Sequence, residues 1–157
     1  MTDHLLRPSL GNTSSASAAL YSPRSSFLLG FFLGPLPLIL YSMLNSIRVK
    51  RVRDVAAYAL ALAAFGALIH ATFMQPRPDA LLWLNRQLGE GASMRGAMRV
   101  LAVLLWCGFY VLHRKEHRAN ALFGQTPSPW IAAVACGVAG VGLMYVISFL
   151  ASGELPP

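Results

Sequence analysis

Residues 27–53 read FLLGFFLGPLPLILYSMLNSIRVKRVR: an apolar run from Phe27 to Ile47 with Gly34-Pro35-Leu36-Pro37 inside it, followed at once by Arg48, Lys50, Arg51 and Arg53. A bilayer's hydrocarbon core is about 30 Å thick and takes about 20 apolar residues at 1.5 Å each, so this stretch reads as a membrane span against a cationic anchor. Three more runs near that length follow, Val55 to Met74, Met94 to Leu112 and Trp130 to Ala151. The expected fold is all-α: four transmembrane helices (27–47, 55–74, 94–112, 130–151) arranged as two hairpins. A mobile, uncleaved N-terminal tail (1–26) and a short C-terminal tail (152–157) flank this membrane domain.

Composition agrees with that reading. Apolar residues make up 55 % of the chain and charged ones 12 %, against about 25 % charged in soluble globular domains. The net charge of +7 has a simple use in a membrane protein, where basic turns fix helix orientation and meet anionic headgroups. The expected partner is therefore the lipid bilayer and not nucleic acid. Cys107 and Cys136 both fall within apolar runs and form no CxxC, so no redox centre or disulfide framework is indicated.

Within the first run, Pro35 and Pro37 each remove a backbone donor, and a kink is expected there. Gly30 and Gly34 form GxxxG, a spacing that lets a neighbouring backbone come close. Asn45, near the end of the run, is a candidate for a polar contact across helices. Phe32-Leu33-Gly34-Pro35-Leu36, followed by Asn45 and a basic segment, resembles the first helix of small uncharacterised bacterial inner-membrane proteins that carry a Phe-x-Gly-Pro or Gly-Gly-Pro element and a later Asn. Here Leu33 stands where a second Gly is frequent in that pattern. The resemblance covers the first hairpin, with weaker echoes in the last helix; it implies a four-helix membrane fold and brings no catalytic residues.

The second run follows Asp54, a suitable N-cap, and carries Ala59, Ala63, Ala67 and Ala71 at every fourth residue. That smooth stripe reads as a docking face. His70, near its far end, reads as a hydrogen-bonded packing residue, and Pro76 and Pro78 stop the helix. Asp79 to Glu90 places Leu81, Leu84 and Leu88 on one side with Asn85, Arg86 and Gln87 between, which predicts a short amphipathic helix in the interface. Arg95 and Arg99 enter the third run, from where long side chains can snorkel to headgroups. Ser128 and Pro129 start the last helix, in which Ala132, Cys136 and Gly140 make a second small-residue face.

The basic turns at 48–53 and 114–118 outweigh the opposite side, which predicts cytoplasmic turns and both termini periplasmic in a bacterial inner membrane. His113-x-x-Glu116-His117 has the His-x-x-Glu-His spacing of inverted zinc peptidases, but a catalytic zinc needs a third protein ligand and none is evident on that side. No span carries an acid near its centre, where coupled transporters usually hold one. No nucleotide or hydrolase motif is present, and no cofactor or metal is expected. The functional expectation is a non-enzymatic membrane protein acting through helix contacts, as an accessory, assembly or immunity-type subunit or as a homo-oligomer. The alternative is a small transporter or channel with its site at the Gly34–Pro37 kink.

Overall fold

The computed structural model describes residues 20–73, 78–123 and 128–152, which form helices and turns. Both expected tails beyond those limits, and Pro76, lie outside the described residues. The first apolar run breaks at Gly34 into α1 (Pro23–Leu33) and α2 (Pro35–Val49). α2 then doubles back along α1. The Tyr21 amide donates to Asn45 Oδ1 at 3.0 Å, although one continuous helix would hold those residues about 36 Å apart. The Tyr21 and Tyr41 rings lie 5.3 Å apart, and Arg48 donates to the Tyr21 hydroxyl while its guanidinium covers the Tyr21 ring.

Local chemistry explains the reversal. Gly34 has φ 96° and ψ −177°, a region open essentially to glycine alone. A helix that begins at membrane depth normally exposes several unpaired N–H groups. Here the Gly34 amide donates to Gly30 O at 3.1 Å, closing α1, and Pro35 and Pro37 have no N–H, so Leu36 brings the only remaining donor of that first turn. The two prolines therefore start a helix and do not kink one. Gly30 serves the same hairpin, since a Cβ there would stand 3.0 Å from Leu38 Cδ2.

Among the described residues three helices are long and apolar enough to cross a membrane, over Val52–Ala71, Ala92–Leu112 and Trp130–Leu150. They are α3 (Val55–Phe73), entered through a 3-10 turn at Val52–Asp54, α5 (Glu90–Leu112) and α7 (Trp130–Ser152). The expected span 27–47 is not among them. With 11 residues, α1 is about 16 Å long, half the depth of the hydrocarbon core. The expected amphipathic segment is α4 (Asp79–Leu88), linked to α5 at Gly89, whose φ is 81°. Ser93 donates to Asn85, tying the two. A further short helix not anticipated from the sequence, α6 (Arg114–Phe123), follows a bend at His113.

α2 is the hub of the packing. Its Leu36, Leu38 and Ile39 meet Tyr58, Ala61, Phe65, Ala102 and Phe109 of α3 and α5; its Tyr41 joins Tyr21, Leu29, Ala132 and Cys136 in a second cluster. α7 passes so close that a Cβ at Gly140 would lie 2.5 Å from Pro37 Cγ. Trp106, near the end of α5, donates to Pro23 O at 3.1 Å. The start of α1, the turn at 48–54 and the end of α5 thus share one end of the bundle, which we term the basic end. Ser152 lies at the other. The two ends of the described chain are therefore not on one side, unlike the expectation of both termini together, because α1 and α2 return to the end from which they start.

Candidate functional site: a polar cluster at the basic end

Four polar side chains from four elements converge beneath the basic end. Ser46 comes from the last turn of α2, Asp54 from the 3-10 turn, Tyr58 from the first turn of α3 and His113 from the end of α5. All are buried, at 4 %, 3 %, 4 % and 2 % exposure. Ser46 is the centre: its hydroxyl donates to Asp54 Oδ2 at 2.7 Å and lies 2.6 Å from the Tyr58 hydroxyl and 2.8 Å from His113 Nε2. The Tyr58 hydroxyl donates to Ser42 O at 2.8 Å, one turn back on α2.

Its contacts orient the imidazole of His113. His113 Nδ1 lies 3.0 Å from Phe109 O, which only accepts, so Nδ1 carries a proton. Nε2 therefore faces Ser46 Oγ, and it also lies 3.4 Å from Asp54 Oδ2. Arg51 closes the cluster from above. Its NH1 donates to Glu116 Oε1 at 2.6 Å and to Leu112 O at 3.3 Å, and its Nε lies 3.8 Å from Asp54 Oδ1.

Ser, His and Asp together invite comparison with a nucleophile triad, in which Asp holds His Nδ1 while Nε2 takes the serine proton. The arrangement here differs in kind. Asp54 and Ser46 both lie at Nε2, Nδ1 is spent on a backbone carbonyl, and the hydroxyl is sealed from solvent. The cluster is suited to clamping α2, α3 and α5 together, not to attacking a substrate. The His-x-x-Glu-His side chains are engaged elsewhere: His113 faces Ser46, Glu116 binds Arg51, and His117 stacks on Tyr110 at 6.0 Å, with the His113 ring edge-on at 6.3 Å. Burial first, then the neighbouring His113, lowers the His117 pKa from 6.5, with Glu116 opposing. Among the described residues no group of three His, Cys, Asp or Glu is placed to hold a metal ion.

The residues singled out in the sequence fall elsewhere. Asn45, Gly30, Gly34, Pro35 and Pro37 all serve the α1–α2 hairpin. Ala132, Cys136 and Gly140 face inward, against α1 and α2. Ala59, Ala63 and Ala67 are exposed, as is His70, and Ala71 is half-buried. Arg99 is exposed, with its guanidinium 5.3 Å from the Phe31 ring centroid. Asp54, expected as an N-cap, turns its carboxylate inward to Ser46. The signal for the cluster was that Asp54 opens one apolar run and His113 closes another at the end where Ser46 also lies; which helix faces meet there was not readable from the sequence.

The chain matches no family model, no curated protein and no solved structure.

Proposed function

We propose that the protein works within the membrane through helix contacts, as an accessory or assembly subunit or as a homo-oligomer, and not as an enzyme. The observation that carries this reading is an apolar groove of about 900 Å³ between α1 and α7. Leu28, Phe32 and Leu33 form one wall, Trp130, Val134 and Val138 the other, and Gly137 and Gly142 lie along α7 between them. Small residues flanked by large ones admit a helix at close range. The unpaired alanine stripe of α3 is a second such face. In the most apolar parts of the three spans only 22 %, 11 % and 17 % is buried within the fold, which leaves ample surface for docking.

The basic end faces the cytoplasm. Of the described cations, Arg24, Arg48, Lys50, Arg51, Arg53, Arg114, Lys115 and Arg118 gather there, an asymmetry of the positive-inside kind. A bacterial inner membrane rests on the resemblance of the Phe32–Leu36 segment.

The test is native mass spectrometry of the full chain extracted with its native lipids, beside Gly142→Leu and Ala63→Leu. A Cβ at Gly142 meets nothing within 4 Å, so that leucine fills the groove without disturbing the fold. A defined oligomer or a retained protein that either variant loses supports helix docking; bare monomers throughout refute it. The re-entrant hairpin favours a second reading, since transporters bring helix ends to membrane depth in this form. Solute flux in proteoliposomes that Gly34→Ala abolishes, with no oligomer, would select a small transporter or channel instead.

A further inference from the structure

Between the end of α2 and the start of α3 lies a smaller pocket of about 280 Å³, lined in part by Met43, Ile47, Lys50, Arg51, Val52 and Val55. Ile47, Val52 and Val55 are 66 %, 81 % and 62 % exposed, and they stand at the basic end beside Lys50 and Arg53. Apolar walls below a cationic rim match the two halves of a phospholipid, an acyl chain and an anionic headgroup.

The backbone singles out Lys50. α2 ends in a Schellman pair, with the Lys50 amide bonded to Ile47 O at 3.1 Å and the Arg51 amide to Ser46 O at 3.0 Å. The residue between is normally glycine, because it is left-handed. Lys50 occupies it at φ 55° and ψ 36°, the only described non-glycine residue at positive φ. A side chain is thus kept where the backbone favours none, and such an outlier points to a use for that side chain. Among the described residues Lys50 makes no ion pair. The acids nearest the pocket do not oppose an anion: Asp54 is turned inward to Ser46 and His113, and Glu116 is held by Arg51.

We propose that this α2–α3 pocket binds an anionic phospholipid, with the Lys50 ammonium on the headgroup phosphate and an acyl chain against Ile47, Val52 and Val55. Arg51, whose NH1 is committed to Glu116 and Leu112, adds field more than contact. The site is separate from the α1–α7 groove and does not depend on what docks there.

The test uses the full chain in detergent, titrated with phosphatidylglycerol or phosphatidylcholine and read by native mass spectrometry, with thermal unfolding of the same samples. Wild type and Lys50→Arg should retain phosphatidylglycerol in preference to phosphatidylcholine. Lys50→Gly should hold phosphatidylglycerol about fivefold more weakly, the worth of one cation near an anionic surface, while its lipid-free form melts higher because the left-handed position now suits its residue. That opposition separates lost binding from lost folding. Equal retention of the two lipids by wild type, or unchanged phosphatidylglycerol retention in Lys50→Gly, overturns the proposal.

Discussion

The amide of Tyr21 and the side-chain oxygen of Asn45 meet at 3.0 Å across 24 residues of chain, and this contact pins the two ends of a helical hairpin together at one end of the bundle. Both partners are buried. Asn45→Leu leaves the amide without an acceptor and should lower unfolding free energy by about 1–3 kcal/mol, whereas Asn45→Asp keeps an acceptor. Unfolding in mixed micelles measures both; a loss below about 0.5 kcal/mol for Asn45→Leu would mean the hairpin is held by other contacts.

The hairpin turn itself depends on one residue. Gly34→Ala forces a side chain into a glycine-only conformation and should cost about 1–3 kcal/mol. Gly66→Ala, in the middle of α3 where a Cβ meets nothing within 4 Å, should instead gain up to about 1 kcal/mol from helix propensity. Equal effects at the two positions would sink the distinction.

On α7 a similar pair of glycines differs by its neighbours. At Gly140 a Cβ would stand 2.5 Å from Pro37 Cγ and 2.8 Å from Pro37 N, and neither a ring nor a backbone can retreat far. Gly140→Ala should destabilise by about 1–3 kcal/mol through overpacking, and Gly142→Ala should not. Thermal melting of the two variants side by side decides it.

Asp54 and His113 lie buried 3.4 Å apart and both bond Ser46 Oγ, so removing either disturbs a shared network. Asp54→Asn and His113→Ala should each cost about 1–3 kcal/mol, and the double variant less than the sum. A double-mutant cycle by chemical unfolding reads the coupling directly. Strict additivity would show that the two groups do not sense each other.

His117 gives the chain an acid sensitivity with a definite sign. Its folded pKa lies below 6.5, so as pH falls the unfolded chain takes up the proton first, and stability drops as pH passes downward through the unfolded value. The loss is complete once pH lies below the folded value. Melting temperatures between pH 7.5 and 5.5 should fall more steeply for wild type than for His117→Asn. Parallel curves would remove His117 from the acid response.

Much of this fold is legible in the amino-acid pattern. Val55 to Phe73, Glu90 to Leu112 and Trp130 to Ser152 are long enough and apolar enough to declare themselves by length alone. Gly34-Pro35-Leu36-Pro37 was legible as a break but not as a reversal. A proline inside an apolar run is compatible with a kink in a continuous span or with the first turn of a new helix, and the φ of the preceding glycine decides between them. The polar cluster was hidden for a different reason: the pattern puts Ser46, Asp54 and His113 at one end, but only the packing of α2 against α3 and α5 turns their side chains toward one another. The alanine stripe of α3 was visible as a face, but its exposure depends on which side of α3 the core claims through Tyr58, Ala61 and Phe65.

An even number of crossings brings a chain back to the compartment it left; an odd number does not. By turning at Gly34, the first apolar run drops out of the count, and the start of α1 lies at the same end as the basic turn that follows α2. The side that α4 faces is unchanged relative to the basic turns, but the side at which Tyr21 and Pro23 lie is exchanged. One backbone torsion at position 34 thus decides at which end of the bundle α1 begins.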